Sequence, residues 1–404
     1  MERLKEKYIE LLLKKCINFN NSKSLFISYE AENIDFVSKL VVKAKEVGIN
    51  DIYLYRENTL KKHEILKDIS FEELNYHPTF NKIIWDDYAF KNASFLILQS
   101  EYPGLMDDID PLKLAQAKYI DLSSRPNYQN LQYEFQIPWC IAPLPSKRWA
   151  KKLFPNLNEE DAYNKLFVLI CEMSMADTKN PQAAWDNFLT KQRELQTKLN
   201  SLEISQMHYK NNLGTDLYLE ITPNTNWCNV SDFGKDMMVN FPSYEIFTNP
   251  NFRRTNGVVF GSRPICYNGL LIKDFYLEFK DGKVVNYKAK EGQELLTKII
   301  RSDEYSSYLG EVALVDNNNP ITQTNMIYDS TILDENASCH LALGNGFSEC
   351  VNDYKKMSRY ELLKIGVNPS KIHVDFMIGT PDLSIEANTN KGKKFVFKNG
   401  SFNI

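Results

Sequence analysis

The texture of the chain changes near residue 205, and this change limits what it can fold into. Before it, apolar runs of strand character alternate with segments of helical spacing. Ser24-Leu25-Phe26-Ile27-Ser28-Tyr29 reads as a strand. Phe36, Leu40, Val41 and Ala44 then recur at helical spacing, and Gly48 stands where a helix should stop. Residues 51–55 and 93–98 read as further strands, and residues 119–122 (Tyr119-Ile120-Asp121-Leu122) as a fourth. Strands separated by helices need crossover connections, so they imply a mostly parallel sheet covered on both faces. No G-x-G-x-x-G follows the first strand and no G-x-x-x-x-G-K-[ST] occurs anywhere, which favours a scaffold or dimerisation domain over a nucleotide site. Residues from about 144 to 200 read as helical. Their apolar groups are Leu166, Phe167, Leu169 and Ile170, then Trp185, Phe188, Leu189, Leu195 and Leu199, with Pro181 tolerated ahead of the second helix.

Beyond residue 205 strands shorten and turn signals multiply. Asn212-Leu213-Gly214-Thr215-Asp216 leads into an apolar-alternating run. Lys280-Asp281-Gly282-Lys283 and Asn399-Gly400 have the pairs that accept positive φ in tight hairpins. The expectation is an N-terminal α/β domain with a helical linker region over residues 1–200, and a C-terminal mixed α+β metal-binding catalytic domain with antiparallel sheet over residues 201–404.

Bulk properties narrow the class. Apolar residues make up 43% and charged residues 25% of 404, as in globular proteins in water. A net charge of -4 gives no basic field for nucleic acid. Cys16, Cys140, Cys171, Cys228, Cys266, Cys339 and Cys350 are scattered without a C-x-x-C pair, which reads as free thiols in a reducing compartment. The opening Met1-Glu2-Arg3-Leu4-Lys5-Glu6-Lys7 is charged and lacks a signal-peptide core, and no apolar run approaches the ~20 residues of a membrane span. A cytoplasmic protein with no nucleic-acid and no membrane partner is expected.

The chemistry gathers in the second half. There are five histidines. His63 is followed by Glu64 without the second histidine of H-E-x-x-H and reads as a solvated helix residue; His77 and His208 read as structural. His340 and His373 keep close company with carboxylates. His373 and Asp375 are two apart on a strand-like run, so their side chains leave from one face while Val374 and Phe376 pack on the other. Glu335 and His340 share one segment. Glu245 follows a proline-bounded turn, and Glu311 lies between Gly310 and an apolar run, where a carboxylate needs a partner or a metal. Imidazole beside carboxylate suits zinc, cobalt or manganese, and several carboxylates beside two imidazoles suit a pair of ions. Spacing alone leaves a metal centre and a set of hydrogen-bonded structural residues both open.

Five segments, in order, resemble the M29 metallopeptidases, the aminopeptidase T and aminopeptidase S group. They are Gly214-Thr215-Asp216-Leu217, Glu245-Ile246-Phe247-Thr248, Leu309-Gly310-Glu311-Val312-Ala313-Leu314-Val315, the run from Leu333-Asp334-Glu335-Asn336 through Cys339-His340 to Gly344, and His373-Val374-Asp375-Phe376-Met377-Ile378-Gly379. The resemblance covers most of the chain. It implies an exopeptidase acting on peptides with a free N-terminus, assembled as a homodimer. It also implies two divalent ions per chain (Zn, Co, Mn or Mg) held by Glu245, Glu311, Glu335, His340, His373 and Asp375. Glu311 falls where the bridging carboxylate is expected, and Glu311 and Glu335 are the candidates for moving the proton.

One position departs from the pattern. Seven residues after the metal-binding histidine the family carries a tyrosine thought to stabilise the tetrahedral intermediate; here Phe347 stands there. Loss of one such donor costs about 10²–10³ in rate. The alternative to an active enzyme is therefore a metal-binding, catalytically impaired homologue that binds peptides or serves structurally. Tyr244, beside Glu245, is the candidate substitute donor.

Overall fold

The computed structural model describes residues 1–17, 23–76, 80–233, 237–267 and 269–404. It divides into two compact units. One comprises Met1–Asp186 with Phe233–Pro242 and Asn268–Leu270; the other comprises Asn187–Asp232, Ser243–Tyr267 and Leu271–Ile404.

The first unit is built on strands β1 (Ser24–Glu30), β2 (Asp51–Glu57), β3 (Ser94–Gln99) and β4 (Trp139–Pro143), all parallel in the order β2-β1-β3-β4. Alternation along β1 assigns its faces. Phe26 meets Trp85 and Tyr88 of helix Phe80–Phe90, Phe95 of β3, and the cluster that includes Tyr128 of helix Pro126–Tyr133. Leu25 and Ile27, which point the other way, are equally buried, so both faces are covered. Residues 239–241 run parallel beside β4: Ile141 N–H donates to Val239 O and Phe241 N–H to Ile141 O, each at 2.9 Å.

Residues 119–122 are not the fourth strand; they lie in helix Pro111–Ser123. Asp110 caps that helix by accepting from Leu112 N at 2.7 Å, and Pro111 occupies its first turn, where its missing N–H costs nothing. The fourth strand is β4, a short apolar run between two prolines. The helical stretch is realised as Lys147–Leu153, Glu159–Met173 and Pro181–Ser201.

The second unit holds two antiparallel sheets. The larger has nine strands among the described residues: β5 (Gln206–Lys210), β6 (Asp216–Ile221), β8 (Pro250–Phe260), β9 (Ile265–Tyr267), β10 (Leu270–Lys280), β11 (Lys283–Glu291), β15 (Ser384–Thr389), β16 (Gly392–Lys398) and β17 (Ser401–Phe402). The expected hairpins are present, with Asp281 at φ 50° and Gly282 at 84°, and Asn399 at 50° and Gly400 at 74°. The smaller sheet has the order β14-β13-β12-β7, with β7 (Glu245–Thr248), β12 (Leu309–Val315), β13 (His340–Gly344) and β14 (His373–Met377). One apolar core joins them: Leu217, Leu219 and Ile385 of the larger sheet cluster with Ile246, Val312, Leu341 and Phe376 of the smaller.

The remaining expectations resolve individually. All seven cysteines are free thiols. No helix among the described residues is long and apolar enough to cross a membrane. His63, on helix Thr59–Asp68, makes a surface pair with the exposed Asp108 at 2.6 Å. His208 pairs with Asp216 at 2.6 Å and stacks on Tyr218 with ring centroids 3.7 Å apart, in keeping with a structural role. His77 lies outside the described residues.

Candidate metal centre

The small sheet has one apolar face and one chemical face. Cross-strand partners share a face in an antiparallel pair, so the register sorts the residues. Val315 is opposite Glu245, Ala313 opposite His340, and Glu311 opposite Ala342. Ala342 is in turn opposite Asp375, and Gly344 opposite His373. Glu245, Glu311, His340, His373 and Asp375 therefore emerge on one face, with the small residues Ala313, Ala342 and Gly344 leaving room between them. Ile246, Val312, Leu314, Leu341, Leu343, Val374 and Phe376 point the other way and enter the apolar core. Period-two alternation thus puts the ligand types and the packing residues of each strand on opposite sides.

Two groups of three form on the chemical face. Glu245, Glu311 and His340 have ligand atoms within 4.8 Å of one another, and so do Glu311, His373 and Asp375. Glu311 belongs to both. His340 Nε2 lies 3.1 Å from Glu245 Oε2, and His373 Nε2 lies 3.0 Å from Glu311 Oε2 and 3.1 Å from Asp375 Oδ1. Glu335, on the short turn Glu335–Ala337 before β13, is buried and belongs to neither group. Its Oε1 accepts from Asn336 Nδ2 at 3.3 Å.

Backbone carbonyls orient both imidazoles. His340 Nδ1 is 3.1 Å from Ser338 O and His373 Nδ1 is 2.8 Å from Asn345 O. A carbonyl only accepts, so each Nδ1 carries the hydrogen and each Nε2 faces the carboxylates, the arrangement in which histidine ligates a metal. Asn345 O reaches its place because residue 310 is glycine: a Cβ there would lie 2.3 Å from it and 2.1 Å from Gly344 O. Asn336 ties the Glu335 turn to the Glu245 segment, with its Oδ1 accepting from Tyr244 N at 2.7 Å.

The electrostatics are those of acids and imidazoles buried together. Burial pushes Glu311 up to about 7, against the hydrogen bond from His373. Burial, and then the charges of Asp375 and Glu245, push Glu335 well above the ordinary carboxylate range. Burial alone would lower His340, but the Glu245 hydrogen bond and the surrounding carboxylates raise it to about 10; His373 is raised well above the ordinary value by Asp375 and Glu311 against the same penalty. Burial would likewise raise Asp375, and His373 holds it low. Four acids and two imidazoles share a largely dry space, so their charge must be met by protons or by cations. The donor set, all carboxylate oxygen and imidazole nitrogen, fits divalent Zn, Co or Mn.

The M29 family profile, described as thermophilic metalloprotease (M29), matches residues 1–402. The chain belongs to the M29 family. This M29 chain is similar to Aminopeptidase 2 of Geobacillus stearothermophilus, 31% identical over 405 residues, covering 99% of this chain and 98% of the relative. It is 32% identical to Aminopeptidase AmpS of Bacillus subtilis, covering 98% and 97%. Among solved structures, wild-type AmpT from Thermus thermophilus superposes with a TM-score of 0.89 at 26% identity, covering 100% of this chain and 99% of that one. The resemblance read from five motifs thus extends over the whole length, and the mixed α/β architecture is that of the solved relative.

Sequence reading missed the supporting residues. Asn336 lay inside a quoted motif without a role. The carbonyls of Ser338 and Asn345 carry no residue-type signal, although Gly310 beside Glu311 marks a close backbone approach.

Proposed function

We propose that this chain is a metal-dependent aminopeptidase that hydrolyses N-terminal residues from peptides at a two-metal site. The observation that carries the reading is the pair of ligand groups sharing Glu311, with both Nε2 atoms turned inward. Glu245, Glu311 and His340 would hold one ion, and Glu311, His373 and Asp375 the other, Glu311 being common to both groups. Two bound divalent ions would supply an activated water nucleophile and charge to polarise the scissile carbonyl. Glu335, buried beside these acids yet outside both groups, is assigned the proton transfer from the attacking water to the leaving amine. Residues 201–404 form the catalytic domain in this reading. A homodimer in the cytoplasm is its assembly and location.

The experiment is hydrolysis of unblocked and N-acetylated peptides by chelator-stripped protein reloaded with Zn²⁺, Co²⁺, Mn²⁺ or Mg²⁺. Release of N-terminal residues from the unblocked peptide alone is expected. Phe347 favours a second reading, the impaired homologue, because its ring donates no hydrogen bond. About two metal equivalents per chain without hydrolysis would establish that second reading in place of the first.

A further inference from the structure

Asn249 follows β7 and is fully buried. Its side-chain amide pairs with the main chain of Phe347, 98 residues on: Nδ2 donates to Phe347 O at 2.6 Å, and Phe347 N–H donates to Oδ1 at 2.7 Å. This is the two-point pattern of a sheet ladder, made by a side chain. It requires a donor and an acceptor on one planar group, which a carboxamide provides whatever the pH, and glutamine is a methylene longer. Gly346 lets the amide approach, since a Cβ there would stand 3.0 Å from Asn249 Oδ1.

Backbone hydrogen bonds hold the preceding loop residues, together with the His373 imidazole on Asn345 O. Gly344 N–H donates to Tyr308 O at 2.8 Å, Asn345 N–H to Ile372 O at 2.6 Å and Gly346 N–H to Asn368 O at 2.9 Å. At residue 347 the Asn249 amide takes both main-chain groups, and Phe347 O also accepts from Cys350 N–H at 3.2 Å. The Phe347 ring lies 5.2 Å from the His373 ring and 5.0 Å from the Phe247 ring, at the border of the metal centre. The same loop supplies the Asn345 carbonyl that orients His373.

We propose that Asn249 is a positioning residue for the hydrolytic reaction: its amide grips the main chain of residue 347 and sets where that residue's ring stands against His373. The inference rests on the aminopeptidase reading for its catalytic part. The clamp acts on the loop whose Asn345 carbonyl orients His373 and whose residue 347 packs against that ring, so its loss lowers turnover more than binding.

The test uses the full metal-loaded chain with Asn249→Leu, which keeps the approximate size but removes both the donor to Phe347 O and the acceptor for Phe347 N–H, and Asn249→Ser as the second variant should the first fail to fold. Amide hydrogen exchange is followed across residues 344–350, together with kcat and KM on an aminoacyl-p-nitroanilide. Expected are exchange at Phe347 faster by about tenfold or more, kcat lower by about tenfold or more, and KM within about twofold. Accelerated exchange with parental kcat, or a rise in KM alone, overturns the positioning role. Unchanged exchange overturns the clamp itself. A parent chain without hydrolysis removes the aminopeptidase reading, and the exchange arm then still decides the clamp.

Discussion

His373 Nε2 lies 3.0 Å from Glu311 Oε2, although 62 residues separate the two in the chain. β13 runs between their strands, and it presents only Ala342 and Gly344 at the level where they meet. The contact therefore passes over a strand whose side chains are too small to block it.

Glu311 is the residue on which both ligand groups depend. Glu311→Gln keeps the size and removes the charge. Metal affinity is expected to fall by at least about 10²-fold, since even outer-shell partners are worth 10–100-fold, and kcat/KM should fall with it. Elemental analysis after dialysis and a steady-state assay measure the two. Two retained metal equivalents with parental kcat would exclude Glu311 as the shared ligand.

Removing metal should cost stability as well as activity. A ligand present at 100 times its Kd and bound only by the folded chain contributes about 2.7 kcal/mol. Chelator-treated protein is expected to unfold at a temperature lower by several degrees and to recover on adding Zn²⁺, Co²⁺, Mn²⁺ or Mg²⁺. Scanning calorimetry reads the shift; identical curves for stripped and reloaded protein would count against bound ions in the folded centre.

Phe347→Tyr restores a hydroxyl beside His373. Turnover is expected to rise, by as much as about 10²–10³-fold, with little change in KM. Parental kcat in this variant would mean that another donor already serves. Tyr244, whose ring packs edge-on to Phe188 at 5.0 Å, is then examined by Tyr244→Phe.

Asp303 anchors the loop that leads into β14. Its carboxylate accepts from Tyr305 N, Ser370 Oγ and Lys371 N, each at 2.8 Å. Burial opposes its charge, but these hydrogen bonds hold the pKa below the ordinary value. A depressed acid stabilises the fold above its unfolded pKa of about 3.9, and that contribution disappears as the pH falls through the lower folded value. Asp303→Asn should therefore cost about 1–2 kcal/mol near neutrality, and the difference should shrink below about pH 4. Urea unfolding at pH 7 and at pH 3 measures it; a difference that is constant with pH would refute the charge-based account.

Legibility in the sequence followed the range of the forces involved. The division of β14 into His373 and Asp375 on one side and Val374 and Phe376 on the other was readable, because strand period is local. So were the Asp281-Gly282 and Asn399-Gly400 hairpins, whose positive φ restricts residue type. Residues 119–122 misled because Tyr and Ile favour strands, while the decisive Asp110-Pro111 start signal lay nine residues earlier. The partner of His63 was not readable because Asp108 is distant in sequence. The Asn249 clamp and the carbonyls of Ser338 and Asn345 were invisible, since one partner in each is main chain and any residue type can supply it.

The order of the chemical face along the chain has a consequence for biosynthesis. Glu245 emerges from the ribosome long before Asp375, the last of the six. A nascent chain lacks β14 until synthesis is far advanced, so the group of Glu311, His373 and Asp375 cannot assemble early. A product cut short before β14 would therefore carry one of the two ligand groups without the other.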